Sequence, residues 1–114
     1  MGVSVVVSTY NRADVLGRAL DSVISQTRQP EQVIVVDDGS TDGTHDVLEK
    51  LTGDPNVHIF FQGMNRGKGA AVRRGIRECV GDIVVLQDAD LEYDPEEYPK
   101  LIKPIHDGKA DVVY

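Results

Sequence analysis

The sequence predicts an α/β domain: a mostly parallel sheet with helices on both faces. Three observations lead there. Five short runs are apolar and mostly β-branched: Val3 to Val7, Val33 to Val36, Val57 to Phe61, Ile83 to Leu86, and Val112-Val113. The first, second and fourth do not alternate with polar residues, which is how strands buried on both faces read. Helical spacing fills the gaps between the runs, and the resulting βαβαβαβαβ order favours parallel neighbours joined by crossovers.

Each helix has its own signature. After the first run, Leu16, Ala19, Leu20 and Val23 follow the i, i+3, i+4, i+7 rule, and Asn11 with Asp14 resembles a capping pair. After the second, Thr44, Val47, Leu48 and Leu51 repeat the rule behind Ser40-Thr41-Asp42, a cluster of good N-caps. A third helix is predicted over about Gly69 to Cys79, with Val72, Gly75, Ile76 and Cys79 on one stripe. A fourth is predicted from near Pro95, carrying Tyr98, Leu101, Ile102 and Ile105. Pro104 is expected to end or kink it.

Length and composition narrow the function. A chain of 114 residues is one domain with one small core, spanning residues 1–114. A hydrophobic fraction of 40% with mixed charges marks a soluble globular protein. No apolar run approaches the ~20 residues of a membrane span. The start, Met1-Gly2-Val3-Ser4-Val5, has no basic leader, so no secretory signal is expected. Val6 stands where myristoylation would want Ser or Thr. Cys79 is the single cysteine, which rules out a disulfide within the chain and a thiolate metal cluster. It reads as a buried, inert thiol, and the whole fits a reducing, cytoplasmic setting. The net charge of −7 argues against nucleic acid as main partner. An acidic protein that handles an anionic ligand needs local positive charge, and a metal ion supplies it.

In parallel α/β sheets, ligands bind beyond the carboxyl ends of the strands, where the strand order reverses. Those ends carry Ser8-Thr9-Tyr10-Asn11, then Asp37-Asp38-Gly39-Ser40, then Gln62 to Gly69, then Gln87-Asp88-Ala89-Asp90-Leu91-Glu92. In an extended segment Asp88, Asp90 and Glu92 would point one way. Three adjacent carboxylates repel one another without a cation, and hard oxygen donors select Mg2+ or Mn2+. The bland reading is a solvated acidic loop. Asp37 and Asp38 can accept a uracil imide or a ribose hydroxyl, or serve only as turn and cap residues. Tyr10 can stack on a base, or be an ordinary tyrosine. Arg66 and Lys68 suit a diphosphate at a helix start, or a solvated turn. Arg73, Arg74 and Arg77 read as the exposed face of their helix. His45, His58 and His106 are scattered over different elements, against a histidine metal site.

These segments together resemble a known family. Val5-Val6-Val7-Ser8-Thr9-Tyr10-Asn11, Val35-Val36-Asp37-Asp38-Gly39-Ser40-Thr41-Asp42, Asn65-Arg66-Gly67-Lys68-Gly69 and Gln87-Asp88-Ala89-Asp90-Leu91 resemble the second family of glycosyltransferases. The stretch Asp88 to Glu96 is most similar to the branch that makes polyprenyl-phosphate sugars, such as dolichyl-phosphate mannosyltransferases. The resemblance implies a GT-A fold and a metal-dependent, inverting transfer from a UDP- or GDP-sugar to an acceptor such as polyprenyl phosphate at a membrane surface. It implies that Ser8, Tyr10 and Asp38 hold the nucleoside, that Asp88 and Asp90 hold the metal, and that Glu92 takes the third ligand position, where that branch often has Gln. The candidate nucleotide-binding residues are Ser8, Tyr10, Asn11, Asp37, Asp38, Lys68, Asp88 and Ala89; Asp90 is the candidate catalytic residue.

Family members continue into an acceptor-binding half, whereas this chain stops in its fifth predicted strand. The sequence therefore reads as a truncated form of the fold, expected to bind donor and to transfer sugar poorly alone. The alternative is a nucleotide-sugar-binding module without catalysis. An unfinished sheet leaves edge or apolar surface exposed and favours a homo-oligomer. Rival nucleotide enzymes fit less well. A dinucleotide-binding fold needs G-x-G-x-x-G after the first strand, and the P-loop pattern G-x-x-x-x-G-K-[S/T] is absent. A receiver-type fold would carry its Asp where Ser8-Thr9-Tyr10 stands.

Overall fold

A computed structural model describes residues 2–24, 30–50, 55–88 and 98–111. The elements run β1 (Val3–Thr9), α1 (Ala13–Ile24), β2 (Gln32–Asp37), α2 (Thr44–Glu49), β3 (Val57–Phe61), α3 (Lys68–Arg77), β4 (Ile83–Asp88) and α4 (Tyr98–His106). Four strands form one sheet in the order β3-β2-β1-β4, and every pairing is parallel. The chain steps outward from β1 to β3 and then crosses back to the other side of β1. The strand order therefore reverses between β1 and β4, which puts the ligand crevice of such a sheet at their carboxyl ends.

The first two non-alternating runs have the expected cause, but the fourth is buried on one face only, with Val84 36% and Leu86 54% exposed. All six residues of β2 are buried, because the sheet is covered on both faces there. Val5, Val7, Val33, Val35 and Val85 meet Leu16, Leu20 and Val23 of α1 and Leu48 of α2 on one face, with Ile102 of α4 packed against them. Ile34 and Val36 meet Ala71 of α3 on the other, with Phe60 and Cys79 alongside. Gly75 lets α3 approach this closely: a Cβ there would lie 2.4 Å from Val6 Cγ1.

Several expectations need correction. The α1 start is not capped by Asn11 and Asp14. Asp42 accepts from the Ala13 amide at 3.2 Å and Thr44 Oγ1 from the Arg12 amide at 3.2 Å, so the cap comes from the start of α2 and the loop before it. Asp42 also accepts from the Thr44 amide, but the residue at the N-cap of α2 is Gly43, in the left-handed region. Ile76 is 45% exposed rather than core, because α3 lies over β1 and β2 while β4 sits at the edge of the described sheet. Leu86, opposite Val6 in register, is 54% exposed for the same reason. Arg74 is half-exposed, unlike the exposed Arg73 and Arg77, and its guanidinium lies 4.9 Å from the centre of the Phe60 ring. Pro104 lies inside α4, which continues to His106, and its carbonyl accepts from Lys109 and Ala110. Cys79 is half-buried just beyond α3, its thiol donating to the Gly75 carbonyl at 3.3 Å. Burial raises its pKa despite the opposing Ser4 hydroxyl, which agrees with an inert thiol. Leu51, Pro95 and the run Val112-Val113 lie outside the described residues.

Candidate functional site

Register brings the candidate residues together. Ser8 pairs with Asp88 of β4 on one side, and Thr9 pairs with Asp37 of β2 on the other. The end of β1 is thus flanked by Asp37 and by the Asp88 position, at the point where the strand order reverses. Tyr10 follows immediately and is 46% exposed.

The period of two along a strand sends Asp37 and Asp38 to opposite faces of the sheet. Asp37, 2% exposed, follows Val33 and Val35 toward the α1 side. Its carboxylate accepts from the Ser40 hydroxyl, and Ser40 Oγ accepts in turn from the Asn11 amide at 2.8 Å. Asn11 Oδ1 accepts from the Thr41 amide at 2.7 Å. Asn11 stands at φ 51°, a left-handed conformation that Asn tolerates better than most residues. Asp37, Ser40 and Asn11 thereby lock the loops after β1 and β2 together and hold Tyr10 between them. The Thr44 hydroxyl, bonded to Asp42, lowers the Asp42 pKa, with the Ala13 and Thr44 amides adding to the effect against desolvation.

Asp38, 4% exposed, lies on the α3 side. Its carboxylate accepts from the Arg66 amide at 2.9 Å, the Gly67 amide at 3.0 Å and Gln62 Nε2 at 3.5 Å. The turn at Gly39, φ 77°, touches the same loop, and a Cβ there would meet the Asn65 amide nitrogen at 2.5 Å. This long-range contact is not visible in the sequence, where Asp37 and Asp38 read as one pair. Lys68 opens α3 beside this loop.

The Asp88 side chain and all of Ala89, Asp90 and Glu92 lie outside the described residues. Among the described residues no group of three or more His, Cys, Asp or Glu side chains comes together. The metal donors that the sequence suggests are Asp88, Asp90 and Glu92. Their chemistry fits a hard divalent cation, since all three are carboxylates and the segment leaves β4 beside Ser8. No described helix is long and apolar enough to cross a membrane.

A parallel sheet of this order with helices on both faces matches solved structures of GT-A glycosyltransferases. Residues 4–114 match the model of glycosyl transferase family 2, and the chain belongs to that family. It is 38% identical over 116 aligned residues to an undecaprenyl-phosphate 4-deoxy-4-formamido-L-arabinose transferase of Pectobacterium carotovorum, covering 97% of this chain and 35% of that protein. A mannosyltransferase of Pyrobaculum calidifontis, solved with GDP-Man and Mn2+, superposes with TM-score 0.70 at 35% identity over 77% of this chain and 27% of that one. Glucosyl-3-phosphoglycerate synthase of Mycobacterium tuberculosis, solved with Mn2+, UDP and glucosyl-3-phosphoglycerate, gives 0.73 at 27% identity over 91% of this chain and 39% of that one. The chain spans about a third of the length of the undecaprenyl-phosphate sugar transferases it matches.

Proposed function

We propose that this chain is the donor-binding part of a metal-dependent, inverting glycosyltransferase that takes its sugar from a UDP- or GDP-sugar, with a polyprenyl phosphate as acceptor. The observation that carries the reading is the register at the switch point, where the end of β1 runs between Asp37 and the Asp88 position with exposed Tyr10 just beyond. The relatives support the ligand classes, since they include proteins solved with GDP-Man, UDP and Mn2+ and transferases named for undecaprenyl phosphate.

The residues divide the work. Tyr10 offers its ring to the base, and Ser8 offers a hydroxyl to the nucleoside. Asn11 and Asp37 keep the two loops at fixed separation, so the pocket does not have to be ordered by the ligand. Lys68 and Arg66 supply positive charge toward the diphosphate in a chain of net charge −7. Asp88, Asp90 and Glu92 would hold the cation, and Ala89 between them is assigned to the nucleotide. When bound, such a cation stabilises the negative charge that grows on the departing β-phosphate. Asp90 is assigned the catalytic role because it would hold that charge in position. A polyprenyl phosphate acceptor is already an anion, so attack needs no general base.

A panel of UDP, GDP, uridine and guanosine tests the reading by calorimetry. One nucleotide should bind in preference to the other, and Tyr10→Ala should weaken both it and its nucleoside by ~1–3 kcal/mol through lost stacking. Adding a donor sugar and polyprenyl phosphate then asks whether the chain transfers sugar or only holds the donor. No measurable affinity for either nucleotide would overturn the proposal.

A further inference from the structure

We infer that Asp38 is a positioning residue, whose carboxylate ties the Gln62–Gly67 loop to the end of β2 and so sets where Arg66 and Lys68 meet the phosphate half of the ligand. This rests on the nucleotide reading above and moves Asp38 from the nucleoside contact that the family resemblance implies to the support of the Gln62–Gly67 loop.

A carboxylate offers about four acceptor sites. Asp38 engages three donors from a single loop: the Arg66 amide, the Gly67 amide and the Gln62 side chain. Two of these are backbone groups, so the bonds fix the path of the chain rather than one side chain. Hydrogen bonds to a charged acceptor are roughly twice as strong as neutral ones. Asp38 is only 4% exposed, so its carboxylate draws its hydrogen bonds from this loop rather than from water. Three further features tighten the join. The Gln62 amide donates to the Asp37 carbonyl at 2.9 Å, and Asn65 Oδ1 accepts from the Gly67 amide at 3.0 Å. Gly39 leaves no room between the turn and Asn65. Gly67, at φ 93°, then turns the chain directly into α3. The Gln62–Gly67 loop is thus joined to the end of β2 chiefly through one buried anion.

The experiment separates the two halves of the ligand. The full chain is titrated with manganese pyrophosphate and, separately, with uridine and guanosine, in the wild type and in Asp38→Asn, Asp38→Ala and Gly39→Ala. Gly39→Ala pushes the loop away while leaving the Asp38 carboxylate in place, so it reports on the loop even where Asp38→Ala folds poorly. Pyrophosphate affinity should fall roughly tenfold or more in Asp38→Ala and Gly39→Ala. Asp38→Asn, which keeps one acceptor oxygen, should lose less. Amide exchange followed by NMR should show Arg66 and Gly67 protected in the wild type and open in Asp38→Ala. A loss confined to the nucleosides, with pyrophosphate affinity unchanged in both alanine variants, would overturn the inference, as would equal exchange of the two amides in wild type and Asp38→Ala. A wild type that binds neither probe contradicts the nucleotide reading itself, whereas the exchange data still judge the loop.

Discussion

Leu20→Ala is expected to destabilise the domain by about 3 kcal/mol. Leu20 is fully buried in the cluster that joins α1 to the sheet, among Leu16, Val23, Val5, Val7, Val33 and Val35. Truncation loses the transfer energy of the side chain and leaves a cavity that strands on one side and a helix on the other cannot close. A domain of this size has roughly 5–15 kcal/mol of stability to draw on, so the change removes a large part of it. Thermal unfolding should show Tm lowered by roughly 10 °C. Val80→Ala is the control: Val80 is 73% exposed, and its loss should stay within about 0.5 kcal/mol. Equal shifts for the two variants would mean that α1 does not anchor the core.

Asp90→Ala is expected to cost nucleotide diphosphate affinity at least about 30-fold in the presence of manganese, near 2 kcal/mol. The carboxylates at positions 88, 90 and 92 begin at the last residue of β4, which pairs with Ser8 of β1. Removing the central one leaves the cation short of a charged ligand and the diphosphate short of its counter-charge. The nucleoside makes no use of the cation, so its affinity should not change in the same variant. Titrating UDP or GDP with manganese into both proteins gives the answer, and equal affinity would remove Asp90 from the site.

Much of the fold is legible in the sequence, for identifiable reasons. Runs such as Val33 to Val36 lack polar alternation only because both faces of β2 are covered, and that is a property of the sheet's interior. The family resemblance, carried by four motifs in order, agrees with the match over residues 4–114. What the sequence does not show is adjacency. The order β3-β2-β1-β4 puts the reversal of strand order between β1 and β4, and no local pattern encodes it. The caps of α1 come from Asp42 and Thr44, about thirty positions away, whereas local spacing points to the nearer Asn11 and Asp14. Ile76 fits an apolar helical stripe, yet the stripe is wider than the part of the sheet that α3 covers. Asp37 and Asp38 look like one functional pair, but strand geometry sends one to the Ser40–Asn11 lock and the other to the Arg66–Gly67 loop.

The central claim is that this edge of the sheet binds a nucleotide diphosphate through a divalent cation. Its most direct test is a calorimetric titration of the wild-type chain with UDP and with GDP, in manganese and again in excess chelator. The account predicts saturable one-to-one binding of at least one of the two in manganese, weakened roughly tenfold or more when the metal is removed. Affinity that is the same with and without metal, or no binding of either nucleotide, would contradict it.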